Sequence, residues 1–398
     1  MERKGIAFLQ KKHNKLFGKN KSYLIKVPLR ISPLGAHIDH QLGIVSGMTI
    51  DKYIFFLFSK NNSKNVKIYS ENYNDFVEFS INKNFKKENR WSDYIKGAAH
   101  ILKEKFRIKN GINGVVYGEI STGGLSSSAA TGISYLLALE KVNEIVVDKT
   151  ENISLMQKIE NEFIGLNNGI LDQSVILLNS LHPQSLIFID CKSGKYRNVI
   201  PKKKFDFQIL IVHSGVNRTL LNTNYNERVS ECEEAGKILL KFAGKKIKKN
   251  IKLRDVKKEY FEKFKDKLPE NLKKRATHFY SEIERVKKGV KYWEKGEIEK
   301  FGKLMKMSGE SSIKNYECGI PETIQLHDIL NSIPEIYGAR FSGAGFGGSC
   351  IALTKGNIER EQIIVNIEKK YIPKFPELKD KYKIFFTNHG RKPEIFEL

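Results

Sequence analysis

Residues 123–129, Gly-Gly-Leu-Ser-Ser-Ser-Ala, join a β-branched run at Val115 and Val116 to an apolar pattern with helical spacing that begins at Ala130. Glycines let the backbone approach a ligand closely, and serines can bind oxygen or cap a helix. The first turn of a helix also offers free N–H groups and the positive end of the helix dipole. This order of strand, loop and helix predicts a site for a phosphate chain. A serine-rich helix cap with a purely structural role would produce the same local pattern.

Residues 29–43 place Arg30, His37, Asp39 and His40 in one short stretch. A ligand-binding segment and an ordinary turn between a strand and a loop both fit this composition. A metal site at His37, Asp39 and His40 is a third interpretation. It is disfavoured because no second histidine or carboxylate cluster stands nearby in the sequence to complete a coordination shell.

Residues 337–353 contain the spacing Gly-x-Gly-x-x-Gly at Gly343, Gly345 and Gly348. A dinucleotide-binding fold requires a strand before this spacing and a helix after it. Here the glycines are followed by residues 350–354, Cys-Ile-Ala-Leu-Thr, which form an apolar run with strand character. The dinucleotide interpretation is therefore disfavoured. The sequence also lacks the Gly-x-x-x-x-Gly-Lys-Ser/Thr pattern of ordinary P-loop enzymes.

Residues 29–43, 123–129 and 337–353 resemble, in chain order, the three motifs of the galactokinase branch of the GHMP small-molecule kinases. Two further segments, residues 160–173 and 213–228, match the same branch between the second and third motifs. Residues 33–41, 167–174 and 315–319 look most like the galacturonokinases within it. The resemblance implies an α+β GHMP-kinase two-domain fold, with units at 1–200 and 201–398 and the active site in the cleft between them.

The resemblance also implies a role for each matched residue in a transfer that uses ATP and Mg²⁺. Asp172 falls at the catalytic base, and Arg30 falls beside it, where a guanidinium would stabilise the transferring charge and keep Asp172 ionised. Ser128 and Glu160 fall at the Mg²⁺ site. The implied contacts are Gly123, Gly124, Leu125, Ser126, Ser127, Ser128 and Ala129 for ATP, and Ala36, His37, Asp39, Tyr225 and Gly345 for the sugar.

Three positions of the first motif depart from the branch pattern, because Ser32 replaces an asparagine, Ala36 a glutamate and His40 a tyrosine. In galactokinases that glutamate accepts a hydrogen bond from the 6-hydroxyl of the sugar. Its loss frees space and removes a negative charge, as a substrate with a carboxylate at C6 requires.

The expected reaction is therefore phosphorylation of the anomeric C1 hydroxyl of D-galacturonic acid. L-Arabinopyranose, which lacks C6, and plain galactose remain alternatives. A protein of this fold that binds sugar and nucleotide as a sensor, without turnover, is an alternative of another class. It is disfavoured because Asp172, Arg30 and the serines at 126–128 are all present.

Strand-like runs at 53–58, 66–69, 76–79 and 114–117 precede the helix that follows the glycine and serine loop. That order predicts an α+β first unit with its helices gathered on one side of a sheet. An apolar run at 205–212 predicts the first strand of the second unit. Helical patterns follow at 227–242 and from about Lys273 to Met307.

The chain has 398 residues, 69 of them basic and 45 acidic, which gives a formal net charge of +24. We expect no specific nucleic-acid partner, because the lysines are dispersed and no zinc-finger, RNA-binding or helix-turn-helix pattern accompanies them. The basic field suits attraction of ATP and an anionic sugar. No apolar run reaches the roughly 20 residues of a membrane helix. Four widely spaced cysteines predict reduced thiols in a cytoplasmic protein, expected to be a monomer or a weak homodimer.

Overall fold

The computed structural model of the chain describes residues 2–83, 86–120, 123–216 and 223–398. Two β-sheets organise these residues. Their strands are β1 (Ser22–Ile31), β2 (Ile44–Asn61), β3 (Asn65–Ser70), β4 (Asp75–Ser80), β5 (Gly111–Gly118), β6 (Leu186–Asp190), β7 (Tyr196–Val199), β8 (Phe207–His213), β9 (Ile336–Phe341), β10 (Ser349–Lys355), β11 (Lys383–Thr387) and β12 (Glu394–Glu397).

Eleven α-helices lie among the described residues. They are α1 (Glu2–Phe17), α2 (Asp93–Lys105), α3 (Ser127–Asn143), α4 (Lys149–Lys158), α5 (Leu171–Leu178), α6 (Tyr225–Phe242), α7 (Lys258–Phe264), α8 (Glu270–Lys295), α9 (Ile298–Ser311), α10 (Pro321–Asn331) and α11 (Arg360–Tyr371). Two π-helical turns, Ile159–Ile164 and Ser312–Tyr316, continue α4 and α9. Across the described ranges, we find no helix that has both the length and the apolar character needed to span a membrane.

The larger sheet has the strand order β12-β1-β2-β5-β3-β4, and β6 and β7 extend it from the start of β2. Strand β2 is 18 residues long, which lets its first residues pair with β6 while the rest pair with β1 and β5. The pairing of β3 with β5 is parallel, and the neighbouring strand pairs are antiparallel. The smaller sheet has the order β11-β8-β10-β9 and is antiparallel throughout.

Both faces of the larger sheet are buried at residues 53–58 of β2. Successive side chains of a strand point to opposite faces, and residues 53–58 of β2 are apolar at every position. Phe56 faces α3, where its ring meets that of Tyr135 at 5.1 Å. Tyr53, Phe55 and Leu57 face the other way and pack with Leu9 of α1. The prediction of helices on one side alone is therefore wrong, because α1 covers the opposite face.

The helical pattern predicted from about Lys273 to Met307 corresponds to two separate helices in the structure. Helix α8 ends at Gly296, whose φ of +76° is accessible to glycine with little strain, and α9 starts two residues later. Other predicted elements are confirmed, including the strand after the glycines at 343–348 and the helix after residues 123–126.

The chain passes from the larger to the smaller sheet between β7 and β8, and it returns at β12, which pairs with β1. The predicted second unit, 201–398, thus contributes its last strand to the first sheet. The boundary itself remains a prediction. The loops that carry the predicted site residues, after β1, after β5 and between β9 and β10, converge on one cavity.

Candidate active site

One cavity of about 830 Å³ is lined by residues from both halves of the chain. Its walls include most of the residues predicted from the sequence. They are Arg30, Ala36, His37, Asp39, Gly123, Gly124, Ser126, Ser127, Ser128, Glu160, Asp172, Tyr225 and Gly345. Leu125 and Ala129 do not line it, because their side chains are fully buried in the core. A contact of these two residues with ATP is therefore restricted to the main chain.

Asp172 is the centre of a hydrogen-bonded group in this cavity. The guanidinium of Arg30 donates from both Nε and Nη2 to Asp172 Oδ1, each at 2.7 Å. Ser126 Oγ donates to the other oxygen, Oδ2. Arg30 is buried, whereas a quarter of the Asp172 side chain is exposed to the cavity. The carboxylate is thus held in one orientation by two donors while one side stays open to a substrate.

The serine at the start of α3 does not cap the helix as its position predicts. Ser126 has a left-handed backbone, with φ of +56°, and makes no side-chain cap hydrogen bond. Its hydroxyl is directed instead to Asp172. The first N–H groups of α3 therefore remain available to an anion at the mouth of the cavity.

Two serines that flank the glycine-rich segment between β9 and β10 bind carbonyl groups of the loop before α3. Ser342 Oγ donates to Gly124 O at 2.5 Å, and Ser349 Oγ donates to Gly123 O at 3.0 Å. Gly124 has φ of +93°, and a Cβ there would lie 2.8 Å from Ser342 O. Only glycine fits this approach. Because neighbouring residues occupy the loop carbonyls, the loop presents its N–H side to a ligand.

Glu160 lies in the π-helical turn Ile159–Ile164, a rare element that is frequent at functional sites. The residue is 1% exposed, and its Oε2 is buried without a hydrogen-bond partner among the described residues. Burial, and then the nearby charge of Asp172, raise the pKa of Glu160 to about 8. A buried, unsatisfied carboxylate oxygen that lines the cavity is suited to a cation. The described residues hold no group of three or more His, Cys, Asp or Glu side chains that could hold a metal ion.

His37 forms part of the opposite end of the cavity. It has φ of +62°, a strained conformation for a non-glycine residue, and its ring stacks on Tyr316 at 4.4 Å. Its Nε2 lies 3.4 Å from Cys318 Sγ. Burial, and then the charge of Arg340, hold the pKa of His37 well below its ordinary value. The imidazole is therefore neutral at pH 7.

Asp39 and Tyr225 complete this end of the cavity. Asp39 Oδ2 accepts a hydrogen bond from Leu171 N at 3.3 Å. Burial, and then the charge of Asp172, raise the pKa of Asp39 to about 6. Tyr225 is the first residue of α6, and its ring meets that of His40 edge to face at 6.1 Å. His40 itself does not line the cavity, because its Nε2 lies 3.0 Å from the hydroxyl of Tyr316.

A buried charge cluster supports the wall at Ala36 from behind. Glu282 Oε1 accepts from Gly35 N at 2.7 Å, and Oε2 accepts from Arg285 Nε at 2.6 Å. Arg340 lies 3.8 Å from the same carboxylate. Burial works to raise the pKa of Glu282, but Arg285, His278 and Arg340 outweigh it and lower that pKa to about 2. One carboxylate and two guanidinium groups leave a net positive charge behind the wall.

Sequence reasoning missed the aromatic residues at the outer part of the cavity. Tyr73 and Trp91 stack at 6.1 Å with nearly parallel rings, and Trp91 Nε1 donates to Asp75 Oδ2 at 2.7 Å. Tyr94 lines the same region beside Ser128. A parallel aromatic pair next to an anion site suits a nucleobase. The signal available was the sequence Arg-Trp-Ser-Asp-Tyr at residues 90–94, which leads into α2.

The cavity combines a loop suited to an anion with an aspartate fixed by an arginine, and residues from both halves of the chain line it. These are the features of a kinase that acts on small molecules. The family described as the GHMP kinases N terminal domain matches residues 93–180, and the GHMP kinases C terminal family matches residues 290–373. The chain belongs to the GHMP kinases.

The chain is 44% identical to a galacturonokinase of Arabidopsis thaliana, over 83% of this chain and 82% of that protein. It is 34% identical to a galactokinase of Clostridium perfringens, over 89% of this chain and 91% of that protein. The crystal structure of Lactococcus lactis galactokinase complexed with galactose superposes with a TM-score of 0.88 at 29% identity, covering 98% of this chain and 99% of that one. The chain is therefore a sugar kinase of this family.

Proposed function

We propose that the protein transfers the γ-phosphoryl group of ATP to the C1 hydroxyl of D-galacturonic acid. The observation that carries this assignment is Ala36, which stands in the cavity wall where the galactokinase pattern has a glutamate. The wall presents no anion there, and the cluster of Glu282, Arg285 and Arg340 behind it has a net positive charge. Such a wall favours a carboxylate at C6.

In the proposed reaction Asp172 takes the proton of the C1 hydroxyl as that oxygen attacks the γ-phosphorus. The bond between the γ-phosphorus and the oxygen that bridges it to the β-phosphorus breaks, and ADP leaves with the electron pair. Arg30 keeps Asp172 oriented, and it stabilises negative charge that develops on the transferring group. The two hydrogen bonds from Arg30 and the one from Ser126 support this role for Asp172.

The residues fit a bound Mg²⁺, which when present neutralises charge on the phosphates. Glu160 would hold it through the carboxylate oxygen that has no protein partner, and Ser128 would contribute its hydroxyl. The N–H groups of the loop at 123–128 would hold the phosphates. Tyr73 and Trp91 would flank the adenine.

At the sugar end, Asp39, His37 and Tyr225 would bind hydroxyl groups, and Gly345 would approach the ring closely. A galactose kinase is the second candidate, because the Lactococcus lactis enzyme with this fold was solved with galactose. Ala36 disfavours it, since the 6-hydroxyl would lose its acceptor. The four cysteines are buried and unpaired, which supports the proposed cytoplasmic location.

The test is ADP release with galacturonate, glucuronate, galactose and L-arabinose, each with and without Mg²⁺, followed by phosphorus NMR of the product. We expect the highest kcat/KM for galacturonate with Mg²⁺, and a product with phosphate on C1. Faster turnover of galactose would overturn the uronate assignment while leaving a sugar kinase. Binding without ADP release on any sugar would favour the sensor.

A further inference from the structure

Among the described residues, three cationic side chains line the cavity: Arg30, Lys87 and Arg90. Arg30 is paired with Asp172, and Arg90 Nη2 is paired with Asp75 Oδ2 at 2.6 Å. Lys87 differs from both. Its Nζ donates to the main-chain oxygen of Ile164, and no carboxylate of the described residues lies within ion-pair distance of it. It is the cavity cation whose charge the described part of the protein does not neutralise.

The backbone that follows Lys87 is held by hydrogen bonds to Asp93. The Asp93 carboxylate accepts from Glu88 N at 3.0 Å and from Arg90 N at 3.1 Å. Lys96 is buried and pairs with Glu88 at 2.6 Å. The half-buried Lys87 side chain therefore extends into the cavity from a fixed stretch.

The position of Ile164 indicates which part of a nucleotide Lys87 can reach. Ile164 is the last residue of the π-helical turn that carries Glu160, so the ammonium is bound to the same turn as that carboxylate. Glu160 and the start of α3 line the same cavity as Lys87. A polyphosphate between the loop at 123–128 and Glu160 would pass within reach of a flexible four-carbon stem.

We propose that Lys87 binds the terminal phosphates of ATP and exchanges its hydrogen bond to Ile164 for one to a phosphate oxygen. The inference rests on the proposed use of ATP. A neutral carbonyl is a weaker partner for an ammonium than a phosphate oxygen, so the exchange favours the bound state. The bound phosphate also neutralises the positive charge of Lys87, which the described residues leave unbalanced in the cavity.

The test is nucleotide binding by calorimetry, without sugar, on the full chain and on Lys87→Met, which keeps the length of the side chain without its charge. We expect Lys87→Met to weaken ATP roughly tenfold to a hundredfold, the range of a charge-assisted hydrogen bond, to weaken ADP less, and to leave adenosine unchanged. Lys87→Arg should retain most of the affinity. The matched control is Lys86→Met, which changes the same charge at the exposed neighbouring residue and should leave all three ligands unchanged.

Equal losses for ATP and adenosine would overturn the proposal, because Lys87 would then only hold the turn at Ile164. Unchanged ATP affinity in Lys87→Met, with unchanged thermal stability, would overturn it as well. If wild type binds ATP through Lys87 but does not turn over galacturonate, the sugar assignment fails while this inference stands. If wild type does not bind ATP, both fail.

Discussion

At the phosphoryl end of the cavity, charged groups are exposed to a ligand: Arg30 is paired with Asp172, and Glu160 and the start of α3 line the same cavity. At the sugar end, Ala36 and His37 form a wall that presents no charged side chain, because the pKa of His37 is held low and the cationic cluster lies behind the wall. The phosphoryl end requires groups that act on developing charge. We propose that the sugar end selects its substrate by the absence of an anion at residue 36. Chemistry and specificity are therefore separable by mutation.

The largest expected effect is at the phosphoryl end. Asp172→Asn keeps the size of the side chain but removes the base, so kcat should fall by roughly 10²- to 10⁴-fold, the range typical of a lost general base. Sugar binding should be largely retained, as measured by calorimetry. The control is Asp380→Asn, an exposed aspartate outside the cavity. Near-normal turnover of Asp172→Asn would remove Asp172 from the reaction.

The next effect is at the sugar end. Ala36→Glu would place two carboxylates close together when galacturonate binds, and at about 4 Å with an effective dielectric near 20 their repulsion is on the order of 4 kcal/mol. Because about 1.4 kcal/mol is tenfold in rate, kcat/KM for galacturonate should fall by up to about a thousandfold, and less if the new carboxyl takes up a proton. The kcat/KM for galactose should fall little or rise.

The matched variant Ala36→Gln adds the same bulk without the charge. If both variants lose galacturonate activity equally, crowding is the cause. In that case the electrostatic explanation of specificity at Ala36 is wrong.

Much of this contrast could be predicted from the sequence, because the motif residues are local and regularly spaced. Arg30, Asp172 and the loop at 123–128 meet as expected. The missed features depend on contacts between distant residues. Cys318 lies 281 positions from His37, and the hydroxyl of Ser126 serves Asp172 instead of its own helix. The residues of helix α1 do not indicate which surface the helix contacts, so its packing on the far face of the larger sheet could not be predicted from the sequence.

A smaller effect is expected at the proposed metal position. Glu160→Gln keeps the shape and removes the charge, so the Mg²⁺ concentration needed for half-maximal rate should rise by at least about tenfold, since even losses outside the first coordination sphere can cost that much. The rate at saturating Mg²⁺ should recover in part. Glu162→Gln, in the same π-helical turn but outside the cavity lining, is the control. An unchanged Mg²⁺ requirement would contradict the role of Glu160.

The smallest effect concerns pH at the sugar end. The pKa of Asp39 is raised to about 6 by burial and by Asp172, so the carboxylate gains a proton as pH falls through 6 and can no longer accept from two hydroxyls. We expect kcat/KM for the sugar to fall about tenfold for each pH unit well below 6. Asp39→Asn should lose this dependence. It should also be no less stable than wild type at pH 7, because a carboxylate with a raised pKa costs stability above that pKa.

The most direct test of the account is a competition in which wild type receives galacturonate and galactose together at equal concentration, with ATP and Mg²⁺. The initial ratio of the two sugar 1-phosphates equals the ratio of their kcat/KM values. We predict an excess of galacturonate 1-phosphate with wild type and a reversal of that ratio with Ala36→Glu. An excess of galactose 1-phosphate with wild type would contradict the claim that the missing anion at residue 36 selects a sugar acid.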